Sequence, residues 1–390
     1  MKTIKTLIAG ATLMGFSTMA CAEPVPQETD TLINSLMKEH EVPGLAFVLI
    51  ENGEVRQSKT YGYAKVEEGQ RLNEDTVMYA ASLTKLIFSV YVLQLVGEGK
   101  LDLDRPIGQY LRKPLPAYAG ESILEDYSDL EGDPRWQKLT LRMLLSHTTG
   151  LPNYRFFTPE GVFKRDAKLK FFFDPNERYG YSGEGYYIAQ LVVEEATGLK
   201  TGAALQTRFF DPLGMSRTSL VWRDDFQPNF AHGYNAQGEN LRHNMQSNVR
   251  AAGSMDTTLH DLSRWVAALM SGKLLGEDEF NELVGAGFPI ESRHQFPTLD
   301  PVPYAANRVI NLAAGVGTVN WDGPQGRGFV KGGHNEKTDN LLVCLPGKKR
   351  CVLLMSNTAK GDLIFPQIFE AVLGNTGLPW TWEYATLADK

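Results

Sequence analysis

The segment from Ser82 to about Val96 constrains the fold more than any other, because it is apolar on almost every side. A helix on a protein surface keeps one polar face, whereas a helix without such a face must be covered all round. Gly97 and Gly99 follow the segment and are expected to end the helix. The sequence therefore predicts a buried central helix. Its apolar positions are Leu83, Leu86, Ile87, Phe88, Val90, Tyr91, Val92, Leu93 and Leu95.

Strand patterns lie at both ends of the chain, and helical patterns lie between them. Asn52-Gly53 is a strong hairpin signal between two of the strand patterns. The strand patterns are at 45–50, 55–63, 328–331, 340–345 and 351–356. The helical patterns are at 30–40, 139–146, 186–197, 257–270 and 363–373. We expect an α+β fold in which an antiparallel sheet, built from both chain ends and flanked by helices, carries a mostly helical inserted lobe.

The first 22 residues are typical of a secretory signal peptide. Lys2 and Lys5 precede an apolar stretch at 7–16, and Ala20-Cys21-Ala22 supplies the small residues of a cleavage site after Ala22. A membrane anchor is the first alternative, but the apolar core is too short for one. Lipid attachment at Cys21 is the second, although the preceding residues lack the leucine usual at such sites. We therefore expect a periplasmic or secreted protein.

The remainder is expected to form one domain, residues 23–390. An α/β lobe would comprise about 23–80 and 251–390, and a helical lobe about 81–250. The chain has 39 basic and 46 acidic side chains without a basic stripe, which disfavours nucleic-acid binding. No internal apolar run approaches the roughly 20 residues that span a bilayer. The expected partner is a small-molecule or peptide substrate rather than nucleic acid or a membrane.

Two cysteines flank a turn near the C-terminus. Cys344 and Cys351 lie on either side of Pro346-Gly347, between apolar strand patterns. In an oxidising compartment they could form a cross-strand disulfide. The alternative is two buried thiols, since the turn alone does not fix a register that places the cysteines opposite each other.

The residues Ser82-Leu83-Thr84-Lys85 form the first candidate site. Positions i and i+3 share a helix face, so the hydroxyl of Ser82 and the amine of Lys85 can touch. At a helix N-terminus the dipole favours negative charge on the serine oxygen. Within an apolar helix, desolvation disfavours the charged lysine and makes it a usable base. The alternative is an N-cap serine with a lysine that reaches to the surface.

Two further stretches could contribute to the same cleft. The glycine-rich loop at 179–186 contains Tyr181, which could relay a proton once a nearby ammonium lowers its pKa. The alternative for this loop is a packing corner. The strand at 329–334 includes Lys331, Gly333 and His334, and its N–H groups could face a developing oxyanion. Its alternative is an edge strand with a glycine bulge.

Together these three sites resemble the active-site motifs of serine β-lactamases and penicillin-binding proteins, with the class C and CubicO-like group most similar. The family's Ser-x-x-Lys looks like residues 82–85, its Tyr-x-Asn like 181–183, and its Lys-Thr-Gly (or His-x-Gly) like 331–333. Further similar stretches are 42–44, 144–152 and 253–261, and the resemblance covers about 30–375. It implies a β-lactamase/transpeptidase-like fold.

The resemblance also implies a mechanism. Ser82 would attack a carbonyl carbon while Lys85, helped by Tyr181, removes its proton. The backbone N–H groups of Ser82 and His334 would stabilise the oxyanion, and Lys331 would attract a substrate carboxylate. Tyr181 would protonate the leaving group before water hydrolyses the acyl-enzyme. No metal or organic cofactor is implied, and the single histidines His147 and His334 are expected to be structural.

Two departures from the family pattern bear on the substrate. Gly183 stands where the family has an asparagine that binds the lysine and the substrate amide, and Gly332 replaces a threonine that often contacts a carboxylate. Sites that lose polar partners discriminate less. We therefore expect a D-amino-acid-type peptidase or a carboxylesterase, with a β-lactamase as an alternative. A non-catalytic relative that binds peptidoglycan-like peptides or a protein partner is the alternative from another class.

Overall fold

The structure is a computed structural model, and it describes residues 24–120, 122–158, 162–297 and 304–387. The expected signal peptide at 1–22, with Cys21 in it, lies outside the described residues. Within these four ranges, no helix is both long and apolar enough to cross a membrane.

A large antiparallel sheet forms the centre of the fold, in the strand order β3-β2-β1-β13-β12-β11-β10-β9-β8. Its strands are β1 (Gly44–Glu51), β2 (Glu54–Lys65), β3 (Gln70–Arg71), β8 (Phe288–Pro289), β9 (Ala313–Ala314), β10 (Val319–Gly323), β11 (Gly326–Asn335), β12 (Thr338–Leu345) and β13 (Arg350–Ser356). Two small ribbons pair β4 (Met78–Tyr79) with β7 (Asp256–Thr257) and β5 (Gly233–Tyr234) with β6 (Asn240–Arg242). The expected α+β fold, with a sheet built from both chain ends, is confirmed.

The β1–β2 hairpin turns at Asn52-Gly53, as the sequence predicted. Both residues have positive φ, 53° and 75°, which is the conformation of tight hairpin turns. On its other side β1 pairs with β13, from Leu45 opposite Ser356 to Glu51 opposite Arg350. The first and last strand patterns of the chain are therefore neighbours in the middle of the sheet.

Helices cover both faces of the sheet. They are α1 (Gln27–Glu39), α2 (Leu83–Gly97), α3 (Leu141–Leu145), α4 (Gly183–Thr197), α5 (Thr201–Leu205), α6 (Leu259–Met270), α7 (Glu277–Val284), α8 (Ala306–Val309), α9 (Gly361–Leu373) and α10 (Trp380–Glu383). Short 3₁₀ turns lie within the segment 107–138, and a π-helical turn lies at Gln206–Phe210.

Two hydrophobic cores lie on opposite sides of β1, because its side chains alternate between the faces of the sheet. Ala46, Val48 and Ile50 pack into the core that contains α2 and α6. Leu45, Phe47 and Leu49 pack into the core that contains α1 and α9. The α2 side chains from Phe88 to Leu93 are almost completely buried, which confirms the predicted central helix.

The β12–β13 hairpin brings Cys344 directly opposite Cys351. The Cα atoms of the two residues lie 4.1 Å apart, and the structure joins their sulfurs in a disulfide bond. The turn at 346–348 is a 3₁₀ turn followed by Lys349 in the left-handed region, with φ 49°. This turn sets the register that the sequence left open.

Candidate active site

Ser82 immediately precedes helix α2, and the turn before it is held tightly. Ala81 has a positive φ of 47°, a conformation that is unfavourable for a residue with a Cβ atom. The hydroxyl of Thr84 donates to the Ala81 carbonyl at 2.6 Å and accepts from the Met255 backbone N–H at 3.2 Å. These contacts fix the orientation of the Ser82 side chain at the start of the helix.

Lys85 lies one turn further along α2 and contacts the serine. Its Nζ is 3.2 Å from Ser82 Oγ, and it also donates to the carbonyl of Ala252. The side chain is buried, and burial lowers its pKa well below the usual range, with the nearby charge of Lys331 acting in the same direction. The structure therefore favours the neutral amine, the form that accepts a proton.

Tyr181 approaches the same pair from the loop before α4. Ser182 caps that helix, since its Oγ accepts from the Gly185 N–H at 2.9 Å and donates to the Pro152 carbonyl at 3.0 Å. The Tyr181 phenol oxygen accepts from Lys331 Nζ at 3.3 Å, and Lys85 Nζ lies 5.1 Å from the centre of the phenol ring. The loop thus places the phenol between the two lysines.

The expectation that an ammonium lowers the pKa of Tyr181 is not met. Burial raises the pKa of this phenol above its usual value, and the hydrogen bond with Ser82 opposes the rise without overcoming it. The reason is that Tyr181 is 5% exposed, so the loss of hydration of the phenolate outweighs the neighbouring charge. The phenol is therefore neutral at rest and can donate a proton.

His147 supports the Tyr181 loop. Its ring stacks on the Tyr181 ring with centroids 4.3 Å apart, and its Nδ1 accepts from the Ser182 N–H at 3.0 Å. Its own carbonyl accepts from the Gly180 N–H at 2.8 Å. Burial, with Lys331 and Lys85 nearby, lowers the pKa of His147 well below its usual value, so the ring is neutral. These contacts fit the structural role expected for a single histidine.

Strand β11 forms another wall of the cleft around Ser82. It pairs with β10 only from Gly326 to Val330, and beyond that point this edge faces the start of α2. A Cβ atom on Gly333 would lie 2.6 Å from the Ala80 carbonyl oxygen and 3.1 Å from the Ser82 nitrogen, so only glycine fits. The backbone around Gly333 and His334 therefore lies directly beside the Ser82 amide.

Lys331 and His334 point to opposite faces of β11. Lys331 extends towards Tyr181, and burial lowers its pKa to about 8, although Glu383 opposes the shift. The His334 ring turns away from Ser82 towards Asp339, with its Nδ1 at 3.2 Å from Asp339 Oδ1. The side chain of His334 is therefore engaged by Asp339.

Gly183 is close to the site but leaves no room for a side chain. A Cβ atom there would lie 2.5 Å from the carbonyl oxygen of Asn153 and 3.1 Å from its side-chain Oδ1. The Gly183 N–H donates to the same carbonyl at 3.1 Å. Sequence reasoning missed Asn153, because its proximity arises from two chain segments meeting in space.

The segment around Asn153 is anchored by a buried ion pair. Arg155 Nη2 lies 2.8 Å from Glu184 Oε2, and both side chains are almost fully buried. The Arg155 N–H also donates to Glu184 Oε1 at 2.9 Å. Because Glu184 directly follows Gly183, this pair fixes Asn153 relative to the start of α4.

Comparison with protein families gives one match that covers most of the chain. The family model described as "Beta-lactamase" matches residues 29–372. "Protein flp" of Staphylococcus aureus is 23% identical over 253 residues, which is 62% of this chain and 48% of the relative. The match thus spans about half the length of that curated relative.

Solved structures show the same fold at low sequence identity. A β-lactamase/D-alanine carboxypeptidase from Pseudomonas syringae superposes with a TM-score of 0.67 at 17% identity, covering 89% of this chain and 98% of that one. A D-amino acid amidase from Ochrobactrum anthropi, complexed with L-phenylalanine amide, superposes with a TM-score of 0.62 at 21% identity, covering 85% and 92%.

Proposed function

The chain belongs to the beta-lactamase family of serine hydrolases, and from that premise we propose an extracytoplasmic enzyme that cleaves amide or ester bonds through an acyl-enzyme on Ser82. One observation carries the proposal. The amine of Lys85 lies 3.2 Å from the hydroxyl of Ser82, at the start of a buried helix and beside the phenol of Tyr181. A nucleophile in contact with a base of lowered pKa is the arrangement that nucleophilic catalysis needs.

In the first half of the reaction the Ser82 oxygen attacks the substrate carbonyl carbon, and its proton passes to Lys85. The bond to the leaving group then breaks as Tyr181 donates its proton to that group. Tyr181 regains a proton from the Lys85 ammonium, which returns both residues to their starting states. The neutral phenol that burial produces suits this donor role.

The negative charge that develops on the carbonyl oxygen needs hydrogen-bond donors. We assign this role to the backbone N–H groups of Ser82 and His334, with Gly333 allowing the strand to approach the helix closely. Donors held rigidly in place stabilise the tetrahedral intermediate at no cost of reorganisation. In the second half a water molecule attacks the acyl-enzyme, and the same residues return the proton to Ser82.

The substrate class we propose is a D-amino-acid-type peptide or a carboxylic ester. The D-amino acid amidase among the structural neighbours and the β-lactamase/D-alanine carboxypeptidase support the peptide part of this proposal. The absence of a side chain at Gly183, where the family's asparagine contacts the substrate amide, argues against an efficient β-lactamase.

We place the enzyme in the periplasm or outside the cell. The signal-like residues 1–22 support this placement, and so does the Cys344–Cys351 disulfide, since disulfides persist in oxidising compartments. Cell fractionation followed by N-terminal sequencing of the mature protein tests it. A chain that retains Met1 in the cytoplasm would contradict this placement.

A fluorophosphonate probe tests the central claim, because such probes phosphonylate only activated serines. The wild-type protein and Ser216→Ala, which alters an exposed serine, should be labelled equally, with the adduct located at Ser82 by mass spectrometry. Ser82→Ala should remain unlabelled. A folded wild-type protein that is not labelled would overturn the proposal and favour a non-catalytic binding protein. p-Nitrophenyl esters, D-alanyl peptides and nitrocefin then distinguish esterase, peptidase and β-lactamase.

A further inference from the structure

A cavity of about 220 Å³ lies in the helical lobe, between α4, the loop 113–127 and the segment 249–250. The described residues that line it do not include Ser82, Lys85 or Tyr181. A cavity of about 150 Å³ in another protein is large enough to hold benzene. This cavity therefore has room for a phenyl ring together with a short polar group.

Two tyrosines that line the cavity have hydroxyl groups without a partner. Neither the Tyr127 hydroxyl nor the Tyr187 hydroxyl makes a hydrogen bond with a residue in the described ranges. The side chain of Tyr127 is only 2% exposed, so leaving its hydroxyl unpaired is unfavourable unless the cavity supplies a partner. Burial raises the pKa of both phenols, so each hydroxyl keeps its proton and remains a hydrogen-bond donor.

Arg250 adds a positive charge to the same cavity. It is one of the lining residues, and its guanidinium group forms no hydrogen bond or ion pair within the part of the chain that the structure describes. The two acidic residues of the lining do not neutralise it. Glu194 is paired with Lys200, with 2.9 Å between Oε2 and Nζ, and Glu125 is exposed to solvent. The cavity therefore offers a guanidinium group and two hydroxyl donors to an anionic group.

One wall of the cavity is connected to the catalytic lysine by hydrogen bonds. Gln190 lines the cavity from α4, and its side chain binds the backbone on both sides of residue 250. Its Oε1 accepts from the Ala251 N–H at 2.8 Å, and its Nε2 donates to the Val249 carbonyl at 3.2 Å. The carbonyl of the next residue, Ala252, accepts from Lys85 Nζ. The turn that binds the catalytic lysine thus also carries Arg250.

The facing wall is held by the buried ion pair described above. Arg155 Nη1 donates to the Asp126 carbonyl at 2.8 Å, and Arg155 Nη2 lies 2.8 Å from Glu184 Oε2. Because Asp126 adjoins Tyr127, the ion pair fixes the segment that presents the Tyr127 hydroxyl. Groups that are already held in place lose little conformational freedom when a ligand binds, which favours binding.

We propose that this cavity binds a small organic carboxylate with an aromatic or apolar body. The carboxylate accepts from the guanidinium group of Arg250 and from the hydroxyls of Tyr127 and Tyr187, since hydrogen bonds between charged groups are stronger than neutral ones. The body of the ligand packs against the tyrosine rings and against Leu124 and Leu191. Such a carboxylate belongs either to the acyl part of the substrate or to a separate small molecule.

3-Phenylpropionate and 3-phenylpropanamide test the proposal, because they differ only in whether the terminal group is charged. Isothermal titration calorimetry on the whole mature protein measures Kd for each compound. We expect the carboxylate to bind at least about tenfold more tightly, which corresponds to about 1.4 kcal/mol. Arg250→Gln should abolish this preference, whereas Arg71→Gln should leave it unchanged. Arg71 is the matched control, because it is exposed on the edge strand β3.

Tyr127→Phe removes a hydroxyl that has no partner among the described residues, so it should not destabilise the fold. We expect it to weaken binding of 3-phenylpropionate by about fivefold, the effect of losing about 1 kcal/mol. Equal binding of the two compounds to the wild-type protein would overturn the proposal. A preference for the carboxylate that survives in Arg250→Gln would overturn it as well, since the carboxylate would then bind elsewhere.

Mono-p-nitrophenyl esters of dicarboxylic acids of different chain lengths distinguish the two sources of the carboxylate. A higher kcat/KM than that of the matching methyl p-nitrophenyl diester, at one chain length and lost in Arg250→Gln, identifies the acyl part of the substrate. Equal values, with binding of 3-phenylpropionate unchanged after fluorophosphonate labelling of Ser82, identify a separate molecule. Absence of labelling at Ser82 would overturn the proposed function, whereas the calorimetric result decides this inference by itself.

Discussion

Asn153 lies so close to Gly183 that no side chain fits between them, since a Cβ atom on Gly183 would approach the Asn153 carbonyl oxygen to 2.5 Å. The family pattern has an asparagine at position 183. Here an asparagine from the preceding loop presents its side-chain oxygen 3.1 Å from the same Cβ position. An amide group is therefore present beside the start of α4, although it comes from a different residue.

We predict that Asn153→Ala lowers kcat/KM for amide substrates by about fivefold, because the substrate amide loses a partner worth about 1 kcal/mol. Steady-state kinetics on a D-alanyl peptide measures the effect, and Asn176→Ala, in a loop that contacts Thr148, is the control. Unchanged kinetics of Asn153→Ala would show that Asn153 has no part in substrate binding.

Lys85→Ala and Tyr181→Phe should each lower kcat by about 10² or more, the scale of general acid–base assistance. The first variant removes the acceptor of the serine proton, and the second removes the donor to the leaving group. Stopped-flow or burst kinetics on an aryl ester measures acylation directly, with the exposed Lys273→Ala as the control. If both variants retain near-normal acylation rates, the roles assigned to these residues are wrong.

The pH dependence of kcat/KM should be bell-shaped, with its falling limb near pH 8. Activity rises as Lys85 loses its proton, and this rise is complete at a lower pH than for an ordinary lysine, because its pKa is lowered. Activity falls near pH 8, where Lys331 loses the charge that stabilises negative charge developing on the Tyr181 oxygen, to which its Nζ donates. Lys331→Arg keeps the charge and should move the falling limb to higher pH. A profile that continues to rise above pH 9 in the wild type would contradict this assignment.

Glu184→Gln should destabilise the fold by about 3 kcal/mol, because it leaves the buried Arg155 guanidinium without its ionic partner. Urea denaturation followed by tryptophan fluorescence measures the change. Glu291→Gln, which removes the partner of the exposed Arg308, should cost much less. Similar effects of the two substitutions would mean that the buried ion pair does not anchor the loop.

The sequence predicted those parts of the fold that depend on local patterns. The apolar stretch after Ser82 predicted a buried helix, and Asn52-Gly53 predicted a hairpin, because each signal lies within a few neighbouring residues. The two-residue strands β8 and β9 were not predicted, since they are too short to show alternation and depend on their neighbours. The register of Cys344 opposite Cys351 was also left open, because it is set by the conformation at Lys349.

In the candidate site, the sequence predicted contacts between residues of one motif better than contacts between residues of distant segments. Ser82 and Lys85 are one helical turn apart, so their contact follows from helix geometry. Asn153 comes from a separate loop and has no local signature. The pKa of Tyr181 was misjudged because the burial of a side chain depends on the whole fold.

Because β1 pairs with β13, the centre of the sheet cannot be completed until the end of the chain has been synthesised. The ribosome makes the first hairpin early, but Leu45 acquires its partner only after Ser356 has been added. Until then β1 exposes an unpaired apolar edge, which is prone to associate with other chains. The hydrolytic site therefore cannot form before nearly the whole polypeptide is present.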